Sequence, residues 1–391
     1  MESRAPGGTD VVFTGPGDMF DDAVEREFCR PPDQTLLALA RDERVGRLFV
    51  ADAWRSAPIS IVRRRPLRLV ERISVAEREV FRIRPHRLRR RDSTDTRAIA
   101  RAYRAYGDVI GKALAHVGGG CHPGPPSASL VTYDPFVAAY AESSWIANTV
   151  YFGQDDWATG EGVRPWWGAY RDAYVRIEER GTSIFVVSQE LADRVSPRAV
   201  VVPNGVNPDV WRPRHPPPAR IDDLPPPRAI YSGTIDGRLE AGLVEQTAEA
   251  VGSLIMIGHF GDPSVIRWLE GLENVHVFGT VGQVELAATV QACDLGVIPH
   301  RDQAGIRAMS PLKLYEYLAA GLPVLAVDLP PLHGVADDRV LLCRPDQWAE
   351  AMPAAMELGH ASEGRRLAFI DGVAWGRRMQ PVVDVAVGVT Y

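Results

Sequence analysis

Lys313 and Glu316 stand three residues apart in the run Ser310-Pro-Leu-Lys-Leu-Tyr-Glu-Tyr-Leu-Ala-Ala-Gly-Leu-Pro-Val324. On a helix that spacing puts a cation and a carboxylate on one face. The punctuation is that of a helix: Ser310 can cap, Pro311 suits the first helical position, and Gly321 followed by Pro323 stops it before a strand at Val324 to Val327. The free N–H groups of the first turn and the helix dipole make a seat for a diphosphate, to which Lys313 adds a point charge. Glu316, one turn deeper, is placed to accept hydrogen bonds from ribose hydroxyls, while Leu312, Tyr315 and Ala319 form the buried stripe. An ordinary surface ion pair is the alternative. Residue choice weighs against it, because the chain has two lysines, Lys112 and Lys313, and otherwise uses arginine.

Strand-like runs alternate with helical patterns along most of the chain, which predicts parallel sheets in α/β layers. In the first half strands are expected at 11–14, 47–51, 80–83, 128–132, 149–152, 183–187 and 200–202, with helices at 33–41, 96–116, 167–180 and 189–194 between them. Prolines crowd 213–218 and 225–227, which suits an extended linker. The pattern then restarts with strands at 229–232, 254–257, 275–278 and 295–298. The expected organisation is an N-terminal Rossmann-like domain over 1–212, a linker over 213–228, a second Rossmann-like domain over 229–370, and a final segment, 371–391, packing back on the first domain. At 391 residues two cores are expected, and ligands of such folds bind at the carboxyl ends of the strands, here in a cleft between the domains.

The Lys313 run, preceded by Tyr231-Ser-Gly-Thr-Ile-Asp-Gly-Arg-Leu239 and Val202-Pro-Asn-Gly-Val-Asn207, resembles the bacterial glycosyltransferases related to the teichuronic acid biosynthesis glycosyltransferase family. The resemblance extends over roughly 149–378 and includes Asp155-Asp-Trp157 and Val187-Ser-Gln-Glu-Leu191. It implies a GT-B fold and transfer of a sugar, with a UDP-sugar favoured, from a nucleotide diphosphate donor to an acceptor hydroxyl, with no catalytic metal and no further cofactor. In its terms Gly233 and Thr234 let backbone approach the donor phosphates, and Arg238 resembles a phosphate-clamping arginine. Phe278, Gly279 and Thr280 resemble the segment that brackets the nucleobase, and His300 can face the donor sugar or phosphate. Ser310, Pro311 and Leu312 complete the donor list with Lys313 and Glu316. One departure stands out: many retaining transferases of this fold carry two glutamates eight positions apart, and the partner of Glu316 is Ala308. The loop 301–309 must then orient the sugar differently, through backbone amides or Arg307.

The acceptor and any base belong to the N-terminal half. Gly15, Gly17 and Asp18 follow the first strand, as a tight turn or an approach to ligand. Asp155 and Asp156 follow the strand at 149–152, where one of them can serve as base or cap the next segment; Asp134, after 128–132, is the second choice. Asp155 and Asp156, with Lys313 and Arg238 on the leaving group, make up the expected catalytic set, and Gly15, Gly17, Asp18 and Asp134 line the expected acceptor cleft.

The net charge is −6, yet 63–104 holds fifteen arginines against five acids. A solvated face, contact of Arg63–Arg91 with an anionic membrane surface, or contact with the pyrophosphate of a lipid-linked acceptor are the readings; nucleic acid is disfavoured by the absence of interleaved aromatics. No run reaches the ~20 apolar residues of a membrane span, the first ten residues lack a signal-peptide pattern, and a cytoplasmic protein is expected. Cys29, Cys121, Cys293 and Cys343 lie far apart, which argues against a zinc site or disulfide framework and reads as small buried residues. The competing class is a non-catalytic GT-B-like protein that binds a sugar nucleotide or supports an active transferase. A nicotinamide-dependent dehydrogenase is disfavoured because neither domain opens with Gly-x-Gly-x-x-Gly, and an epimerase fits the Lys313 helix less well.

Overall fold

A computed structural model describes residues 8–64, 67–118 and 127–389. They form two compact units: one runs to Pro203 and takes up the chain again from Met379, and the other spans Asn204–Arg378.

The first unit is built on eight strands. Their order across the sheet is Val200–Val201, Ser183–Val186, Ile146–Gly153, Ala128–Thr132, Thr9–Thr14, Val45–Ala51, Arg78–Ile83 and Val70–Val75. All neighbours pair in parallel except the last two, which form an antiparallel hairpin. Val11, Val12, Leu130, Val131, Val150 and Phe152 are wholly buried, the continuous apolar composition of strands covered on both faces. Strand order reverses between Thr9–Thr14 and Ala128–Thr132, so the carboxyl ends of these two strands flank a crevice where α/β sheets bind ligands. The hairpin strand Val70–Val75 and the two-residue pair Arg55–Ser56 with His86–Arg87 have too little apolar periodicity to announce themselves.

The second unit has six parallel strands in the order Val275–Phe278, Ser253–Ile257, Arg228–Ser232, Leu295–Ile298, Val324–Val327 and Val340–Cys343. This is the doubly wound arrangement, with its reversal between Arg228–Ser232 and Leu295–Ile298. The helix Leu312–Ala320 precedes the strand Val324–Val327. Gly321 closes it with φ of 95°, a left-handed conformation that costs an L side chain and suits glycine. Inside, Tyr317 is fully buried in a notch left by Gly296: a Cβ there would come within 2.2 Å of the tyrosine ring. The Tyr317 hydroxyl also accepts the Ser232 N–H at 2.7 Å, which ties the helix to the end of the first strand of the unit.

Three expectations about organisation are corrected. The division falls after Pro203, ahead of the proline-dense segment, because Asn204 is held by Ser310 and Val206 pairs with Val373 inside the second unit. The proline-dense segment is not simply extended: Ala219–Asp222 is a helical turn, and Ile221 within it is fully buried in the second unit's core. The chain end is two helices, Glu363–Gly372 and Trp375–Ala386, and the latter changes unit after Arg378. Beyond that point Thr35 meets the Met379 sulfur at 2.9 Å, Arg44 pairs with Asp384 at 2.6 Å, and the Asn148 amide donates to the Val385 carbonyl at 3.0 Å. Cys293 and Cys343 are buried, Cys29 is half-buried instead, and Cys121 lies outside the described residues.

Candidate functional site

In the second unit the loop after Arg228–Ser232 and the loop after Leu295–Ile298 leave adjacent strands at the point where strand order reverses. They are laced together: the Arg301 N–H donates to the Arg238 carbonyl at 2.8 Å, the Glu240 N–H to the Pro299 carbonyl at 2.9 Å, and Leu239 bridges His300. Lys313 enters from the helix below. Its side chain is buried, with Nζ 4.8 Å from the centre of the Tyr231 ring and 3.5 Å from His300 Nε2. Among the described residues no carboxylate lies within ion-pair reach of that amine. Burial, then the nearby Arg238 guanidinium, pull its pKa down to about 7, against weaker opposing pulls from Glu316 and Asp236. His300 is buried, within 3.2 Å of the Tyr231 hydroxyl, and burial holds its ring well below the usual histidine range, so it is neutral beside the lysine. Glu316 is half-buried on the next turn, and desolvation raises its carboxyl to about 7.

Gly233 is central to this arrangement. Its φ is 135°, and a Cβ added there would lie 3.2 Å from both Cε and Nζ of Lys313. The backbone of the loop therefore passes against the amine with no side chain between them, as a phosphate-approaching loop requires. Behind it Gly258 is equally constrained, since a Cβ there would strike the Gly233 carbonyl.

Other expected donor residues fall around this point with different roles. Ser310 does not cap the helix. Its hydroxyl accepts the Asn204 N–H at 3.1 Å and Pro311 takes the cap position, since the turn ahead of the helix is bound to the segment at Asn204. Leu312 is half-buried and outside the stripe, which is made instead by Leu314, Tyr315, Tyr317 and Leu318, with Ala319 wholly buried beside them. Arg238 is not a free clamp: Asp236 holds it through Nε at 2.8 Å and a second nitrogen at 3.1 Å. Thr234 is half-buried, and its carbonyl accepts the Tyr231 hydroxyl at 3.0 Å. Phe278 ends the edge strand with Arg220 over its ring at 4.6 Å, whereas Gly279 and Thr280 are exposed beyond it. The stretch expected as a loop at 301–309 contains the helical turn Ala304–Arg307, and Arg307 pairs with Asp302 at 2.5 Å.

In the first unit the crevice at the strand reversal is flanked by Gly15, Gly17 and Asp18 on one side and Asp134 on the other. Gly17, at φ of 80°, makes a tight turn whose N–H donates to the Gly15 carbonyl at 3.0 Å, and Asp18 pairs with Arg26 at 2.9 Å. Asp156 is corrected as a base. Its carboxylate accepts the Ala158 N–H at 3.0 Å and the Thr159 hydroxyl at 2.9 Å, and it pairs with Arg194 at 2.6 Å. A buried carboxylate so engaged caps its own loop and is held by Arg194 in its charged form, with three hydrogen bonds already on its two oxygens. Asp155 is exposed and takes a hydrogen bond from the Gln154 amide at 3.0 Å. Asp134 fits better. One of its oxygens, Oδ1, receives the Phe136 and Val137 N–H groups at 2.8 and 3.3 Å, and burial raises the carboxyl to about 7.

Sequence reasoning passed over the aromatic floor beside Asp134. The rings of Phe136 and Tyr170 stack at 4.4 Å, Trp157 lies 5.5 Å from Tyr170, and Tyr103 lies 5.5 Å from Phe136. The indole nitrogens of Trp54 and Trp157 are buried without an acceptor among the described residues. The available signal was the placement of Trp54, Tyr133 and Trp157 within a few residues of strand ends. Tyr231, Asp236 and Asn204 lie within the sequence motifs, but only the fold shows what each holds: Lys313, Arg238 and Ser310.

Residues 240–358 match the profile of the family described as glycosyl transferases group 1. The chain is 37% identical over 70 residues to the Bacillus subtilis protein assigned as teichuronic acid biosynthesis glycosyltransferase TuaH; that stretch is 18% of this chain and 17% of TuaH, so the match spans under a fifth of either protein. Among solved structures it resembles a sucrose-phosphate synthase from Thermosynechococcus elongatus, with a TM-score of 0.64 and 14% identity over 96% of this chain and 98% of that one. A trehalose-6-phosphate structure from E. coli bound with UDP-2-fluoro glucose gives 0.64, at 11% identity over 98% and 100%. The catalytic domain of starch synthase IV from Arabidopsis thaliana, bound to ADP and acarbose, gives 0.62, at 13% identity over 97% and 99%. Residues 240–358 thus resemble the group 1 glycosyltransferases, and the chain as a whole has the GT-B architecture of these solved structures.

Proposed function

We propose that the protein transfers a sugar from a nucleoside diphosphate sugar, with UDP favoured, to an acceptor hydroxyl in cell-surface polysaccharide, glycolipid or natural-product glycosylation. The observation that carries this reading is the buried Lys313 amine, which faces a side-chain-free glycine loop and has no carboxylate within ion-pair reach among the described residues. A desolvated cation of this kind is completed by an anion from outside. The diphosphate sits against Gly233 and Thr234 with Lys313 on its oxygens, Glu316 takes the ribose hydroxyls, and the nucleobase lies toward Gly279 and Thr280. Arg238, held by Asp236, adds positive potential and can exchange partners when phosphate arrives. As the sugar–oxygen bond breaks, these groups meet the charge on the departing diphosphate, a preorganised stabilisation that needs no metal. The bound UDP-sugar and ADP of the two structural relatives support this choice of donor class.

Asp134 is proposed to take the acceptor proton in place of Asp156, and the Trp54 and Trp157 indoles to donate to hydroxyls of an acceptor lying on the Tyr170 face. A thermal-shift screen against UDP, GDP, dTDP and ADP sugars tests the donor reading, since a ligand bound only by the folded state raises its stability. One sugar nucleotide should stabilise the protein, and Lys313→Ala should abolish that shift and cost on the order of 10²–10³ in turnover. Stabilisation retained in full by Lys313→Ala would remove the amine from the donor site.

A further inference from the structure

The short helix Ala57–Val62 is built inside out for the surface of a protein in water. Its buried residue is Ser60, while Ile61 and Val62 are 61% and 83% exposed. Leu88 is 82% exposed. The pairing of Arg55 with His86 and Ser56 with Arg87 in a two-stranded parallel ribbon sets the start of this helix beside Leu88. The helix and the segment beginning at Leu88 leave the ribbon from the same end, and the six-residue helix carries the chain about 9 Å on to Val62.

The arginines of this region sort into two groups. Arg72, Arg82, Arg84 and Arg87 are paired with Glu79, Asp52, Glu71 and Asp92, and Arg78 donates to backbone carbonyls between Ala40 and Gly46. Their charge is used in building the fold. Arg63, Arg64, Arg89, Arg90 and Arg91 are exposed and have no acidic partner among the described residues. Those five directly follow Val62 and Leu88. Exposed aliphatic side chains flanked by unpaired guanidinium groups meet the two demands of one partner, a bilayer whose acyl boundary accepts the aliphatic groups and whose phosphates accept the arginines.

We propose that Ile61, Val62 and Leu88, with the arginines that follow them, form a docking surface for an anionic lipid bilayer. Nucleic acid is less well matched, since Ile61, Val62 and Leu88 are aliphatic and offer no ring for base stacking. The inference does not depend on the donor reading.

Sedimentation of the full chain with phosphatidylcholine vesicles, with and without phosphatidylglycerol, tests it. Binding is expected to the anionic vesicles alone. Each of Arg89→Ala and Arg90→Ala should weaken it about fivefold, and Val62→Asp with Leu88→Asp should weaken it at least about tenfold through lost apolar insertion. High salt should reduce what the arginines contribute and spare part of the apolar contribution. These positions are exposed, so thermal midpoints should stay at the parent value; should the aspartate pair lower the midpoint, Leu88→Ser with Arg90→Ala serves in its place. Equal sedimentation with both vesicle types, or unchanged binding by a folded Val62→Asp, Leu88→Asp variant, would overturn the proposal.

Discussion

Donor binding at Lys313 should be coupled to proton uptake. In the free protein burial and Arg238 hold the amine at about 7, so it loses its charge as pH rises through neutrality. A diphosphate alongside supplies the missing counter-charge and returns the amine toward the ordinary lysine value of about 10.4. Between those limits the bound state holds one more proton than the free state, so affinity falls as pH rises. Below about pH 6 the amine is charged in both states and the dependence vanishes. From pH 7 to about 8.5, where a sugar nucleotide has no titrating phosphate, the loss is about 15-fold, or ~1.6 kcal/mol. Calorimetry of the best-binding sugar nucleotide in buffers of different ionisation enthalpy would read both the affinity and the protons taken up. Lys313→Ala should bind weakly with a flat profile, and Glu316→Gln should keep the slope. Equal affinity at both ends of that range, with no proton uptake, would refute the placement of the diphosphate against the amine.

The same desolvation costs the unliganded protein stability. The penalty is fully present below pH 7 and fades as pH approaches the amine's unfolded value, so Lys313→Met should raise stability by about 1–2 kcal/mol at neutral pH, a few degrees in Tm, and less at pH ~10. Gly233→Ala forces an L side chain into a φ of 135° and against Lys313; differential scanning calorimetry should show a loss of about 1–3 kcal/mol, and the nucleotide-induced shift should disappear. Asp134→Asn should lower kcat by about 10²-fold or more with donor KM unchanged, whereas Asp156→Asn should loosen the loop at Arg194, lowering stability by about 1–2 kcal/mol with kcat retained in the folded fraction. The reverse pattern, a kcat collapse in Asp156→Asn alone, would restore Asp156 as the base.

The parallel α/β architecture and most of its strands were legible in the sequence, because a strand covered on both faces must be an unbroken apolar run. Ala128–Thr132, Val275–Phe278 and Leu295–Ile298 have the bounds their composition suggests. The Lys313 helix was legible for a different reason, since Gly321 and Pro323 end it and one of the chain's two lysines marks it. Polar pairing was not legible. Asp156 and Asp134 both follow strands, and only the approach of Arg194, Ala158 and Thr159 to one of them decides which carboxylate stays available. Arg238 looks free until Asp236, two residues earlier, is seen turned onto it. Likewise the arginines of 63–104 read as one basic block, and the fold pairs Arg82, Arg84 and Arg87 with Asp52, Glu71 and Asp92 while Arg63, Arg64, Arg89, Arg90 and Arg91 stay exposed next to Val62 and Leu88 in the chain. Apolar burial is written in local pattern because each residue carries its own transfer free energy. The availability of a charge is a property of its neighbours, and those are brought together only when the chain has folded.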